Sequence, residues 1–257
     1  MHLHFTSEQR LDGDGSATDT AADAGVSERA FTLGDIPGVL WTPASATASA
    51  PAPLILLGHP GGLGMMHTRL AGRARSAAAS GFASATIELP GSGDRPRSAD
   101  AEQARADLHR ALAAGEPVDE IVDRLVLPLV ERAVPEWQAT LDALLALPEI
   151  GGPVGFSGGV TAIAIKLAAV DQRIAAAGLF AGSYVPRAMF DDARQLTIPV
   201  HMLLQWDDEG NDRQLALDLF DAIGSTEKTL QANMGGHRGV PSYAGDDAGR
   251  FFDRHLR

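Results

Sequence analysis

The sequence predicts an α/β protein with a mainly parallel central β-sheet covered by helices on both faces. Three observations carry this prediction. Short apolar runs alternate along the chain with longer stretches of helical spacing. Runs such as PLILLG at 53–58 are apolar throughout rather than at every second position, which is how strands buried on both faces read. Turns rich in Gly, Asp and His follow several of these runs directly, and loops at the carboxyl ends of parallel strands are where such a sheet carries its ligand chemistry.

Taken in order, 1–29 reads as a partly flexible N-terminal segment, because 13–26 is small, polar and acidic. An early hairpin is expected over 30–33 and 39–42, followed by an Ala/Ser/Pro-rich turn at 43–53. The apolar run 53–58 is the next strand, 65–80 a helix, and 82–89 another strand. Helical spacing returns at 100–114 and again at 118–147, where Pro128 and Pro135 interrupt it. A strand at 154–156 leads into Ser157, and a small-faced helix covers 159–170. Strands at 174–180, 200–205 and 228–231 follow, with helices at 212–223 and 244–256. No internal repeat is visible, and 257 residues fit a single domain with a sizeable core.

Composition narrows the function. A net charge of −12 argues against a nucleic-acid partner and against a polybasic membrane contact. The chain has no cysteine, which excludes disulfides, Cys-ligated zinc and a thiolate nucleophile. The first residues lack the basic start and apolar core of a secretion signal, and no apolar stretch reaches the roughly 20 residues of a membrane span. The expectation is a soluble cytoplasmic protein. No metal-binding or dinucleotide-binding pattern appears, so neither a metal nor a cofactor is expected. The sequence sets no oligomeric state.

The motif with chemistry in it is Gly155-Phe156-Ser157-Gly158-Gly159, a G-x-S-x-G between an apolar strand and a helix. A tight strand-to-helix turn would hold the serine in a strained conformation, with flanking glycines removing colliding side chains. Its hydroxyl would then project at the sheet edge, and the amides that open the next helix would face the charge that develops in acyl transfer. A serine hydroxyl needs a neighbouring base. Among eight histidines, His201 falls inside an apolar strand, where a core role is expected. His237 instead lies in the loop Asn233-Met234-Gly235-Gly236-His237-Arg238-Gly239, after the last strand.

With that motif in place, the chain from about residue 30 onward resembles the α/β-hydrolase fold, in the compact group of dienelactone-hydrolase-like and esterase-like enzymes. Dienelactone hydrolases proper use a cysteine, and this chain has a serine. The resemblance implies a triad of Ser157, Asp208 and His237, the acid lying in Gln205-Trp206-Asp207-Asp208-Glu209 after a strand. Asp207 competes with Asp208 for that role, with Glu209 and Asp212 behind them. The turn Gly58-His59-Pro60-Gly61-Gly62 resembles the family's oxyanion turn. Proline has no N–H to donate, so Gly61 is the expected donor with Gly62 as fallback, and Gly158 the second donor. His59 is expected to brace this turn. Pro90-Gly91-Ser92-Gly93-Asp94-Arg95 resembles a further family turn, with a salt bridge at Asp94 or Arg95 fastening it.

The stretch 181–199 has no room for a large helical lid. Any cover is therefore expected from an insertion at 91–120, with Leu108 and Leu112 at helical spacing, and Tyr184, Met189 and Phe190 walling the pocket opposite. The implied activity is hydrolysis of small or medium soluble carboxylic esters through an acyl-enzyme on Ser157. Amide, peptide or thioester hydrolysis on the same residues, or a ligand-binding protein without catalysis, are the other readings.

Overall fold

The computed structural model describes residues 1–11 and 25–257, so most of the 13–26 connection lies outside the described residues. The strands are β1 (Leu3–Leu11), β2 (Val26–Leu33), β3 (Ile36–Pro43), β4 (Ala52–Gly58), β5 (Ala83–Ile87), β6 (Ile150–Gly158), β7 (Ile174–Phe180), β8 (Val200–Gln205) and β9 (Lys228–Asn233). Among the described residues they form one sheet in the order β1-β2-β3-β5-β4-β6-β7-β8-β9. Pairing is antiparallel from β1 through β3 to β5 and parallel from there to β9.

The helices are α1 (Leu63–Ala79), α2 (Ala99–Ala114), α3 (Asp119–Leu144), α4 (Thr161–Val170), α5 (Met189–Gln195), α6 (Arg213–Ala222) and α7 (Ser242–His255). The sheet separates two apolar layers. Along β4, Leu54 and Leu56 join the layer that holds residues of α3 to α6, while Ile55 and Leu57 join the layer that holds residues of α1 and α7. Successive side chains of a strand point to opposite faces, so a strand covered on both sides is apolar at every position. That is why PLILLG reads as an unbroken run.

Three elements depart from the sequence reading. The N-terminal segment 1–29, read as partly flexible, contains β1, an edge strand that the sequence reading did not assign and whose residues are mostly exposed. Its polar sequence shows no buried face. It is held instead by its ladder with β2, by Phe5 edge-on to Phe31, and by the Arg29 guanidinium over the Phe5 ring. α3 runs unbroken through Pro128 and Pro135. Proline costs a helix a hydrogen bond and a steric adjustment, and here Val126, Val130, Val134, Trp137 and Leu141, all buried on the core side, offset that cost. Met189 and Phe190 open a short helix, α5, rather than a loop.

The insertion at 91–120 contributes α2, which rests on α3. Leu108 packs toward the core and Leu112 is exposed. Arg95 makes a two-pronged ion pair with Glu136 of α3 at 2.6 Å and also donates to the carbonyl of Glu88, so the loop ahead of α2 is fastened as expected. Among the described residues no helix is long and apolar enough to cross a membrane.

Beside α1 lies a buried carboxylate that the sequence reading did not single out. Glu28 of β2 accepts hydrogen bonds from Trp41 Nε1 at 2.5 Å, His67 Nε2 at 3.0 Å and Gln9 Nε2 at 2.7 Å. Burial pushes its pKa up, but the Trp41, His67 and Gln9 donors together hold it below the ordinary value. A carboxyl with a lowered folded pKa stabilises the protein fully above its unfolded pKa of about 4.3, and that stability is lost as pH falls through the folded value. Glu28→Gln is expected to lower stability at pH 7 by about 1–3 kcal/mol and to flatten its fall between pH 5 and pH 3, by roughly the measure set for buried hydrogen bonds to charge. Melting curves across that range test it, and parallel curves for the two proteins would refute it.

Candidate active site

β8 and β9 end in register, Gln205 beside Asn233. The chains leaving them stay together: Trp206 N donates to Asn233 O at 2.7 Å, Asp207 N to Gly235 O at 3.1 Å, and Gln205 Nε2 to Gly236 O at 3.1 Å. Gly235 adopts φ 137°, which a side chain would oppose. The result sets the loop of β9 over the loop of β8. His237 Nδ1 then donates to Asp208 Oδ2 at 2.8 Å.

The four acids of the β8 loop are sorted by this geometry. The Asp208 side chain is 2% exposed, against 40% for that of His237, and its other oxygen accepts from Gly210 N at 2.9 Å. Asp207 is exposed. Glu209 accepts from the backbone N–H of His237 at 3.1 Å, and the backbone bonds from its own amide and from His237 hold its carboxyl below the ordinary range. Asp212 caps α6, accepting from Gln214 N and Leu215 N. With Nδ1 committed to Asp208, Nε2 of His237 is the basic nitrogen. Phe180, at the end of β7, meets the imidazole edge-on with ring centroids 5.4 Å apart. Glu209 and Phe180 thus brace the histidine in ways the sequence did not reveal.

Ser157 is placed differently from expectation. It lies inside β6, paired with Leu57 of β4 and Gly178 of β7, rather than on the turn. Among the described residues no residue other than glycine has positive φ. The strained position is Gly158, at φ 113°, where a Cβ would lie 2.7 Å from the carbonyl oxygen of Gly58. α4 begins at Thr161, so Gly158 closes the strand instead of opening the helix. The physical reason is that both neighbouring strands extend far enough to pair with Ser157, and Gly158-Gly159 let the chain turn one step later. Gly155 and Ser157 share a face, since a Cβ on Gly155 would meet Phe252 and Leu256 of the α7 layer. Ser157 Oγ accepts from Arg73 Nη2 at 2.9 Å, and the same nitrogen donates to the Ser157 carbonyl at 2.8 Å. Asp208 and His237 are therefore brought together, while the Ser157 hydroxyl is bonded to Arg73 and not to His237. Arg73 is one of three arginines in α1, and nothing in its spacing marked it.

The turn after β4 matches its expected bracing role. His59 is buried, its Nε2 lies 3.0 Å from the carbonyl oxygen of Ile87, and burial holds its pKa below the ordinary value. The amides of Gly61 and Gly62 donate to no backbone carbonyl among the described residues. They remain available to a ligand oxygen. Glu88, at the end of β5, is buried and accepts from Leu63 N at 2.9 Å, tying the first turn of α1 to the sheet. Its Oε1 has no partner.

The expected pocket wall needs correction. Met189 and Phe190 are buried within the main core, packed among the residues of α3 to α6, so α5 uses them to seat itself rather than to face a ligand. Tyr184 is half-buried against the same core. Burial first, then the charges of Asp212 and Asp208, raise its pKa, so it sits within electrostatic reach of the β8 loop.

No protein-family model matches this chain, and no curated protein does. Solved structures do. An esterase described as cold-adapted, from an Arctic intertidal metagenomic library, superposes with a TM-score of 0.72 at 26% identity, over 96% of this chain and 100% of its own. Acetyl xylan esterase 1 from a Thermoanaerobacterium species gives a TM-score of 0.61 at 14% identity over 96% of this chain and 87% of its own. A dienelactone hydrolase from Anabaena variabilis gives 0.59 at 16% identity over 97% of this chain and 99% of its own. A mostly parallel sheet of this order, a Gly-rich turn after β4, an Asp after β8 and a His after β9, together with these likenesses, make this chain an α/β-hydrolase-fold protein.

Proposed function

We propose that this chain is a carboxylic ester hydrolase of the serine type, with His237 as base, Asp208 orienting it and Ser157 as nucleophile. The observation that carries the reading is the 2.8 Å bond between His237 Nδ1 and Asp208 Oδ2, with Nε2 left as the free nitrogen. The 26%-identical Arctic esterase supports the choice of ester chemistry. In the acylation step, Ser157 Oγ exchanges Arg73 for His237 Nε2 through movement of the Gly158-Gly159 turn. It loses its proton to Nε2 as it attacks the ester carbonyl, and the oxyanion is held by the amides of Gly61 and Gly158. The imidazolium then protonates the leaving alcohol. Water, deprotonated by the same histidine, releases the acid. Substrates of small or medium acyl chain suit a fold whose only long insertion among the described residues is α2 with its loops.

A second reading is favoured by one specific observation, the Ser157–Arg73 bond. In it, the Asp208–His237 pair activates water directly and no acyl-enzyme forms. A fluorophosphonate probe separates the two. Labelling of wild type that disappears in Ser157→Ala, together with loss of turnover on p-nitrophenyl acetate and butyrate, is expected. Full turnover by Ser157→Ala would instead establish the water mechanism. A turnover optimum on the palmitate ester would refute the chain-length assignment.

A further inference from the structure

Between α1 and α7 the sheet face carries a cleft of about 670 Å³ that has Ser157 and Arg73 at its inner end and does not include His237. Its walls are low because small residues line both helices: Gly72, Ser76 and Ala77 on α1, and Gly245, Ala248 and Gly249 on α7. A Cβ built on Gly72, Gly245 or Gly249 would meet nothing within 4 Å. Glycine inside a helix costs roughly 1 kcal/mol relative to alanine, so three of them in these walls keep open a space that ordinary helix residues would fill. The floor is apolar, built from Ile55, Leu57, Phe82 and Phe252.

Its inner end is cationic. Arg73 lines the cleft half-buried and, among the described residues, is bonded only to the carbonyls of Gly58 and Ser157 and to Ser157 Oγ. Among the described residues no carboxylate forms an ion pair with it, although twelve pairs of Arg or Lys with Asp or Glu occur elsewhere. Burial, and then the like charge of Arg69, pull its pKa down to about 10. The acids on the α7 wall do not neutralise it: Asp253 pairs with Arg257, and Asp246 is exposed. A half-buried guanidinium with no counter-charge is an unfavourable arrangement that an anion would relieve.

We propose that this cleft is a binding site for a monocarboxylate with a short aliphatic tail. The carboxylate pairs with the Arg73 guanidinium, and the tail lies over Leu57 and Phe252 between the glycine-lined walls. The carboxylate lies beside Ser157, the nucleophile of the proposed function, but its binding requires neither His237 nor turnover. Isothermal titration calorimetry with octanoate, acetate and inorganic phosphate tests it on the full chain. Octanoate is expected to bind saturably at one site, at least about tenfold more tightly than acetate, because the tail buries apolar surface. Arg73→Gln and Gly249→Leu are each expected to weaken octanoate by about tenfold or more, the first by removing the charge and the second by filling the space. A Cβ at Gly249 meets nothing within 4 Å, so Gly249→Leu keeps the test decisive if Arg73→Gln does not fold. His237→Ala is expected to leave octanoate binding unchanged, which separates acid held by Arg73 from acid held at His237. Octanoate binding that ignores both Arg73→Gln and Gly249→Leu, or that is lost in His237→Ala, would overturn the proposal. Phosphate binding as tightly as octanoate would overturn the assignment of an aliphatic tail.

Discussion

His237→Ala is expected to lower kcat/KM on p-nitrophenyl acetate by about three to four orders of magnitude, with the fold intact. The imidazole is the only base held by a carboxylate at this edge of the sheet among the described residues, and loss of one member of such a unit costs most of its catalysis. Asp208→Asn is expected to approach the same loss. Its side chain is almost fully enclosed, and an amide in that place no longer stabilises the charged imidazole or enforces the tautomer with Nε2 free. Asp207→Asn, at an exposed side chain, should change turnover less than about threefold. Glu209→Gln should fall between them, since it loosens the backbone of His237 without touching the ring. Equal losses for Asp207→Asn and Asp208→Asn would remove the basis for the assignment.

The largest effect on stability is expected at Trp137. It lies fully buried in α3, edge-on to Phe156 of β6 at 5.8 Å. Trp137→Ala should cost about 3–5 kcal/mol in urea unfolding, from lost transfer energy and the cavity left behind. Trp137 Nε1 is buried without a partner. Trp137→Phe should therefore cost less than about 2 kcal/mol, because dropping the orphan N–H recovers part of a penalty of about 1–3 kcal/mol. A phenylalanine variant as unstable as the alanine one would mean that the indole N–H has a partner after all.

Much of the fold was legible because burial on two faces leaves a local trace. The strands at 174–180 and 200–205 coincide with β7 and β8 as the structure has them, since Leu, Ala, Val and Met at successive positions admit few other readings. β1 was not legible: LHFTSEQRL carries no apolar period, and only pairing with a partner strand makes it one. Pro128 and Pro135 misled in the opposite direction, because their cost is local and visible while the packing that offsets it is not.

The site divides along the same line. His237 and the acidic run after β8 were legible as loop residues following apolar strands, and their pairing follows from two adjacent strands ending together. The resemblance favoured Asp208 as the acid that meets the ring, but the residues alone did not separate it from Asp207, because the two differ only in the direction the turn points each side chain. Ser157 illustrates the limit most clearly. G-x-S-x-G permits a turn at the serine or one step later with equal ease, since glycine follows twice. Only Leu57 and Gly178, far away in the chain, keep Ser157 in the sheet and turn its hydroxyl toward Arg73. By itself the sequence determined the order and type of most elements and the loops that carry the chemistry, because periodicity and turn composition are local. The tertiary structure alone decided register, the partner of each polar atom and the cleft between α1 and α7, because each of those depends on which distant residues the sheet sets side by side.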